Sequence, residues 1–240
     1  MKKIPQWLGA QKAEKMLWDG LIHDDCYILQ TITANALKAP GLTSSLGRRP
    51  EKSLEVGIGP FGLGISAFLS EIPFRLALDP LPPVLLDTSP NSELHSSYDL
   101  RAYMQRLRTP IHYIQGCGED IPVRTGTIDL VICSNVLDHV SDPDAVLREI
   151  HRVLKLGGCL FFDVDTFSLC GLIKWHLWTK HAHKDEILVT AHPYRMLEGG
   201  LVRKLRDAGF RLRKLGGHTV VSRLVGHVRD STFLGTKCAQ

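Results

Sequence analysis

Leu54-Glu55-Val56-Gly57-Ile58-Gly59-Pro60-Phe61-Gly62 is the stretch whose reading decides the fold. Leu54 to Gly57 predicts a short strand that ends in glycines. Gly62 to Leu69 predicts a helix directly behind it. Glycines at Gly57, Gly59 and Gly62 let the backbone turn tightly and approach a ligand closely. The helix start then offers free N–H groups to an anionic ligand group. Glycines spaced this way also occur in strand-to-helix turns that bind nothing, so the neighbours must decide.

Working outward, strands and helices alternate. Phe74 to Asp79 predicts the next strand, stopped by Pro80, Pro82 and Pro83. Glu93 to Leu107 predicts a helix and Ile111 to Gln115 a strand. Ile128 to Ser134 is a near-continuous apolar run, as expected of a strand buried on both faces of a parallel sheet. Asp142 to Leu154 predicts a helix: Asp142 caps it, Pro143 suits its first turn, and Val146, Leu147, Ile150 and Leu154 form one stripe. Cys159 to Val164 predicts a further strand, and Leu201 to Ala208 a helix stopped at Gly209. Phe210 to Leu215 and Thr219 to Val225 predict closing strands around a Gly216-Gly217 hairpin. Ahead of all this, Gln11 to Ile22 and Asp24 to Leu37 carry helix-spaced apolar residues, and Pro40, Gly41, Ser44, Ser45 and Gly47 predict a loop. The expectation is a doubly wound α/β domain over residues 51–240, an insertion at about 166–192, and a helical cap over residues 1–50.

Bulk properties exclude other classes. Of the 240 residues, 44% are hydrophobic and 22% charged, an ordinary globular balance that argues against disorder. A net charge of +4 is too small to imply nucleic acid by itself. The six cysteines contain no C-x-x-C pair and read as small buried hydrophobes in a reducing compartment. The lysines at the N-terminus have no apolar core behind them, so no secretory signal is expected. Cys159 to Ile173 is too short and too charged to span a bilayer. A cytoplasmic protein without a membrane span is expected; its oligomeric state is not indicated.

The residues around the glycine loop narrow the ligand. Glu55 would repel a pyrophosphate, but it suits adenosylmethionine, which brings an ammonium and a sulfonium. Asp79, 24 residues beyond Glu55, stands where an acid takes both ribose hydroxyls; an NAD site has the same spacing, and a turn aspartate before proline reads alike. In Gly118-Glu119-Asp120-Ile121-Pro122, a carboxylate with an apolar neighbour can hold an adenine, or be a solvated acidic loop. Ser134 and Asn135 fall at the C-terminal end of a strand, where ligands of open α/β sheets lie.

In this order, the elements resemble the class I S-adenosylmethionine-dependent methyltransferases of the UbiE/menaquinone type. Leu54 to Gly59 is similar to that family's first motif. Val136-Leu137-Asp138-His139-Val140-Ser141-Asp142-Pro143 resembles its post-strand motif, with Asp138 where Glu is commoner. Arg152 to Gly158 is similar to its approach to the fifth strand, with Leu156 where proline is frequent. The resemblance covers residues 53 to 165 well, the stretch Pro193 to Leu215 loosely and residues 1 to 50 hardly at all. It implies a Rossmann-like seven-stranded sheet of order 3-2-1-4-5-7-6 with one antiparallel strand. It implies S-adenosyl-L-methionine bound by Asp79 at the ribose and by Glu119 or Asp120 with Ile121 at the adenine. Glu55, Gly57, Gly59 and Asn135 would hold the methionine end, with Gly62 and Ser134 beside them.

Transfer from a sulfonium needs alignment and exclusion of water, and a general base only where the acceptor loses a proton. His139 is the first base candidate by position, and His192 and Tyr194, which follow the insertion, could face the acceptor; for each a structural role is the commoner reading. The acceptor pocket is expected under the N-terminal helices and the insertion, whose Leu169 to Trp178 segment reads equally as a lid or a packing helix. His181 and His183 lack the acids or cysteines that would complete a metal set, so no metal is expected. The basic run Arg203, Lys204, Arg206, Arg211, Arg213 and Lys214 reads as a solvated face, not a phosphate track. The chain also lacks the Asn/Asp-Pro-Pro-aromatic run that enzymes methylating bases and glutamines carry after the fourth strand. A small-molecule acceptor is therefore expected. The competing readings are an RNA or protein methyltransferase, an NAD-dependent oxidoreductase (opposed by Glu55 and the adenine-side acids), and an inactive cofactor-binding module.

Overall fold

The computed structural model describes residues 3–21, 24–59, 62–81, 110–181, 194–219, 221 and 228–239. One sheet organises them. Its strands are β1 (Lys52–Val56), β2 (Phe74–Asp79), β3 (Ile111–Gln115), β4 (Ile128–Ser134), β5 (Leu154–Phe167), β6 (Met196–Leu197), β7 (Phe210–Lys214) and β8 (Val228–Lys237). Their order is β3-β2-β1-β4-β5-β8-β7, with β6 pairing beside β5. Setting aside two-residue β6, this is the expected 3-2-1-4-5-7-6 order. β8 runs antiparallel to both β5 and β7, and the remaining pairs are parallel. β1 pairs with β2 on one side and β4 on the other, so the chain reverses its direction of winding there. A crevice opens at such a point, beyond the carboxyl ends of the strands.

β4 shows how sequence selects this place. Pleating sends alternate residues to opposite faces. Val131 and Cys133 join one core cluster, and Leu130 and Ile132 join another, all fully buried. The first face is covered by α3 (Pro143–Val153) and α5 (Glu198–Asp207) through Val146, Leu147, Ile150, Leu201 and Leu205. Asp142 caps α3, its carboxylate accepting from the Asp144 and Ala145 N–H groups at 3.0 and 3.2 Å.

The second face is covered by α2 (Asp25–Ser45), which follows α1 (Lys3–Leu21). α2 runs through Pro40 and Gly41, where a loop was expected. Ala39 and Leu42 explain this, being buried against Leu130, Ile132 and Phe161. Burying such side chains gains about 1.5–3 kcal/mol for the leucine alone, comparable with the cost of about 3 kcal/mol for an interior proline.

Three other expectations are corrected. The segment after the glycine loop forms only a short 3-10 helix, Ile65–Phe68. The closing strand is Val228–Lys237; Thr219 is irregular and Val221 helical, and the rest of the expected Thr219–Val225 strand lies outside the described residues. The strand forms later because Phe233 and Leu234 enter the two cores on opposite faces while pairing with Phe162 and Phe161. β5 starts at Leu154, before the glycines expected to precede it. The predicted helix Glu93–Leu107 lies outside the described residues. Among those described, no helix is long and apolar enough to cross a membrane.

Candidate functional site

Beyond the carboxyl ends of β1, β2, β4 and β5 lies a cavity of about 330 Å³. The glycine loop forms its floor. Gly57, Gly59 and Gly62 have φ of 72°, 77° and 63°, in the left-handed region that favours glycine. Gly57 is also hemmed in, since a Cβ there would overlap Val136. Gly59 is different: the space a Cβ would take is open. Gly57 and Gly59 line the cavity, whereas Gly62 is buried and donates its N–H to the Gly59 carbonyl at 3.1 Å.

Glu55 lines the cavity too, but its carboxylate is already engaged. It accepts from the N–H groups of Ile65 and Ser66 at 2.9 and 2.8 Å, and from the Ser66 hydroxyl. This corrects the expectation of free helix N–H groups: the acid of the first motif consumes them. Burial pushes the Glu55 carboxyl above its ordinary range, and these donors oppose the shift. Fully buried Arg75 donates to the Ser66 carbonyl at 2.7 Å, and the Tyr113 hydroxyl to the Gly62 carbonyl at 2.7 Å. Burial and the nearby Glu55 charge push the Tyr113 phenol up to about 12, so it remains a donor.

Asp79 closes β2 at the cavity wall. One carboxylate oxygen accepts from the Gly59 N–H at 2.9 Å and the other from the Leu81 N–H at 2.9 Å. The acid thus tethers the glycine loop directly. A carboxylate has about four acceptor positions, more than these two N–H groups use. Gly116, Cys117, Gly118 and Glu119 continue the wall after β3. Glu119 accepts from Ser141 N–H and hydroxyl at 2.7 and 2.6 Å, which ties this loop to the approach to α3. Asp120 and Ile121 are not in the wall. Asp120 is exposed, and Ile121 is 1% exposed within the main core. The apolar neighbour expected to pack on adenine therefore serves the core instead.

Ser134 and Asn135 line the cavity at the end of β4. Asn135 has φ 55° and donates its N–H to the Asp163 carbonyl at 2.9 Å. His139 lies in the wall, its Nε2 3.5 Å from the buried Asp138 carboxylate. Tyr194 stands elsewhere. Its hydroxyl donates to the Ser141 carbonyl at 2.8 Å, and it lines a separate cavity between α3 and α5. His192, His183 and the rest of residues 182–193 lie outside the described residues.

The opposite wall comes from residues that the sequence did not single out: Gln11, Trp18, Tyr27, Thr31, Asn35 and Lys38 of α1 and α2. Asn35 fastens α2 down by donating to the Leu63 carbonyl at 3.1 Å, and Lys38 pairs with Asp163. Helix periodicity shows only that these residues are helical, so no sequence signal marked them. The expected insertion begins as α4 (Leu169–His181), whose described side chains supply none of this wall. Asp165 of β5 and Asp230 of β8 complete the cavity. A signal for Asp165 existed, since Asp163-Val164-Asp165 lies near the carboxyl end of a predicted strand.

A sheet of this order, with the glycine loop at β1 and an acid ending β2, matches known proteins in sequence and in fold. The methyltransferase domain family matches residues 78–162. An arsenite methyltransferase from Aquipseudomonas alcaligenes is 32% identical over 118 residues, 38% of this chain and 34% of that protein. A ubiquinone biosynthesis O-methyltransferase from Xanthomonas oryzae pv. oryzae is 28% identical over 130 residues, 54% of this chain and 49% of that protein. The YcgJ protein of Bacillus subtilis shares the fold with a TM-score of 0.62 at 12% identity, over 85% of this chain and 99% of that one. Residues 78–162 thus match a methyltransferase domain, in a chain that resembles class I S-adenosylmethionine-dependent methyltransferases in sequence and shares their fold. The chain spans less than half the length of the two curated relatives. The cosubstrate of that class is S-adenosylmethionine, and this chain has residues that would fit it. The open space over Gly59, the acid at Asp79 and the polar end of β4 at Ser134 and Asn135 all face one cavity.

Proposed function

We propose that this protein transfers a methyl group from S-adenosylmethionine to a small-molecule acceptor held between the glycine loop and helices α1 and α2. The observation that carries this reading is a single cavity with two unlike walls. Gly57, Gly59, Asp79 and Asn135 form one, and Trp18, Tyr27, Asn35 and Lys38 form the other. When bound, the cosubstrate supplies an electrophilic methyl on a sulfonium that departs as a neutral thioether. Asp79 would accept from the ribose hydroxyls while keeping its hold on Gly59. The Gly116 to Glu119 turn would flank the base, and Asn135 the amino-acid end. Glu55 holds the 3-10 helix in place and adds negative potential beneath a cationic ligand. Helices α1 and α2 exclude water and align the acceptor, which is most of what this chemistry asks of a protein. His139, in the wall, would accept a proton where the acceptor must lose one. The small-molecule class is supported by the two curated relatives, whose names specify arsenite and ubiquinone biosynthesis.

Calorimetric titration with S-adenosylhomocysteine, and in parallel with NAD, tests the reading. Binding of the first and not the second, strongly weakened by Asp79→Ala, is the expected result. Binding of NAD alone, or of neither, would overturn it.

A further inference from the structure

Asp165 and Asp230 lie directly opposite each other on antiparallel β5 and β8, and both stand in the cavity wall. Like charges opposed in this way work against the sheet. Their side chains stand on the same face of the sheet. Partial burial, then the neighbouring Asp230 carboxyl and the charges of Asp138 and Asp163, push Asp165 up to about 6. The nearby cation of α2, Lys38, is paired with Asp163. His139, on the loop after β4, is beside Asp138. The same cavity is walled by an aromatic pair, Trp18 and Tyr27, whose rings meet edge to face at 6.0 Å.

One cavity thus joins the cofactor loop, an aromatic wall and a carboxyl pair. Resting on the methyltransferase reading, we propose that its acceptor end selects an amine carried on an apolar or aromatic body, with Asp165 and Asp230 accepting from the ammonium. An anionic acceptor would be repelled. A neutral one would cover the carboxyls without compensating their charge. An ammonium gains charge-assisted hydrogen bonds from the pair, and its carbon body meets aromatic surface.

The test titrates the protein, saturated with S-adenosylhomocysteine, with three probes of one shape: phenethylamine, phenethyl alcohol and hydrocinnamate. At about pH 7.5 the amine is expected to bind about tenfold or more tighter than the alcohol, with the acid weakest. As pH falls through about 6 Asp165 loses its charge while the amine keeps its own, so the preference shrinks. The Asp165→Asn, Asp230→Asn double variant is expected to lose it, its folding shown by retained S-adenosylhomocysteine binding. Should that variant not fold, Asp230→Asn alone makes the comparison. Equal or tighter binding of the alcohol or the acid, no binding of any probe, or a preference that persists in the variant overturns the amine assignment and leaves the methyltransferase reading standing. Failure of the wild type to bind S-adenosylhomocysteine removes both.

Discussion

Asp79 does two things with one carboxylate: it tethers the glycine loop and faces the cavity. Asp79→Ala therefore removes the tether together with the proposed ribose contact. Charged hydrogen bonds are worth about 1.5–3 kcal/mol each, so S-adenosylhomocysteine affinity should fall about tenfold to a hundredfold, read by calorimetry. Gly59→Ala separates the two glycine requirements. The added methyl enters open space, so any loss comes from φ 77°, at about 1–2 kcal/mol, and from ligand approach. Its melting temperature should drop by a few degrees, with a proportionally larger loss in binding. A variant that binds normally would show that no ligand passes over this residue. Legibility at this scale was uneven. The glycine turn and the acid that ends β2 could be placed from the sequence, because both are tied to local backbone geometry. Ile121 and Tyr194 could not, because a one-residue turn of the backbone decides whether a side chain meets a ligand or a core.

At the scale of elements, burial overrode local signals. Pro40 and Gly41 break a helix in isolation, yet α2 continues to Ser45 because Ala39 and Leu42 lie on the sheet. Leu42→Ala should cost about 2–5 kcal/mol in denaturant unfolding, as an emptied core site does. Exposed Pro40→Ala should instead stabilise, by up to about 3 kcal/mol, since it restores a helix donor at no cost in packing. An unchanged unfolding midpoint for Leu42→Ala would contradict the role given to α2. The short 3-10 helix teaches the reverse lesson. Its sequence, Ile65-Ser66-Ala67-Phe68, has ordinary helix-compatible residues, but Glu55 captures the first two N–H groups. A residue ten positions earlier settles the outcome, which no windowed pattern reports. The parallel strands were legible because burial on both faces leaves a nearly unbroken apolar run. β8, VRDSTFLGTK, was not legible, because only its second half is buried.

Across the whole molecule, the carboxyl pair of β5 and β8 carries a cost that depends on pH. Asp165 is raised to about 6, so the folded state binds its proton more tightly than the unfolded chain does. Stability from this group is present at low pH and is lost as pH rises from the unfolded value of about 3.9 through about 6. Asp230→Asn should therefore raise the melting temperature by one or two degrees at about pH 7.5 and leave it unchanged at about pH 4. A gain at low pH alone would reverse the assignment. The placement of β8 has another consequence. Strand eight in order of synthesis lies between strands five and seven in space, and it supplies Phe233 and Leu234 to both cores. As the chain leaves the ribosome, β1 to β5 can align among themselves, but β5 keeps a long unpaired edge until Val228 to Lys237 emerges. Such an edge invites pairing with a neighbouring nascent chain. The production of this protein in cells should thus be limited by how promptly β8 arrives, and slow translation of Val228 to Lys237 should favour aggregates over soluble product.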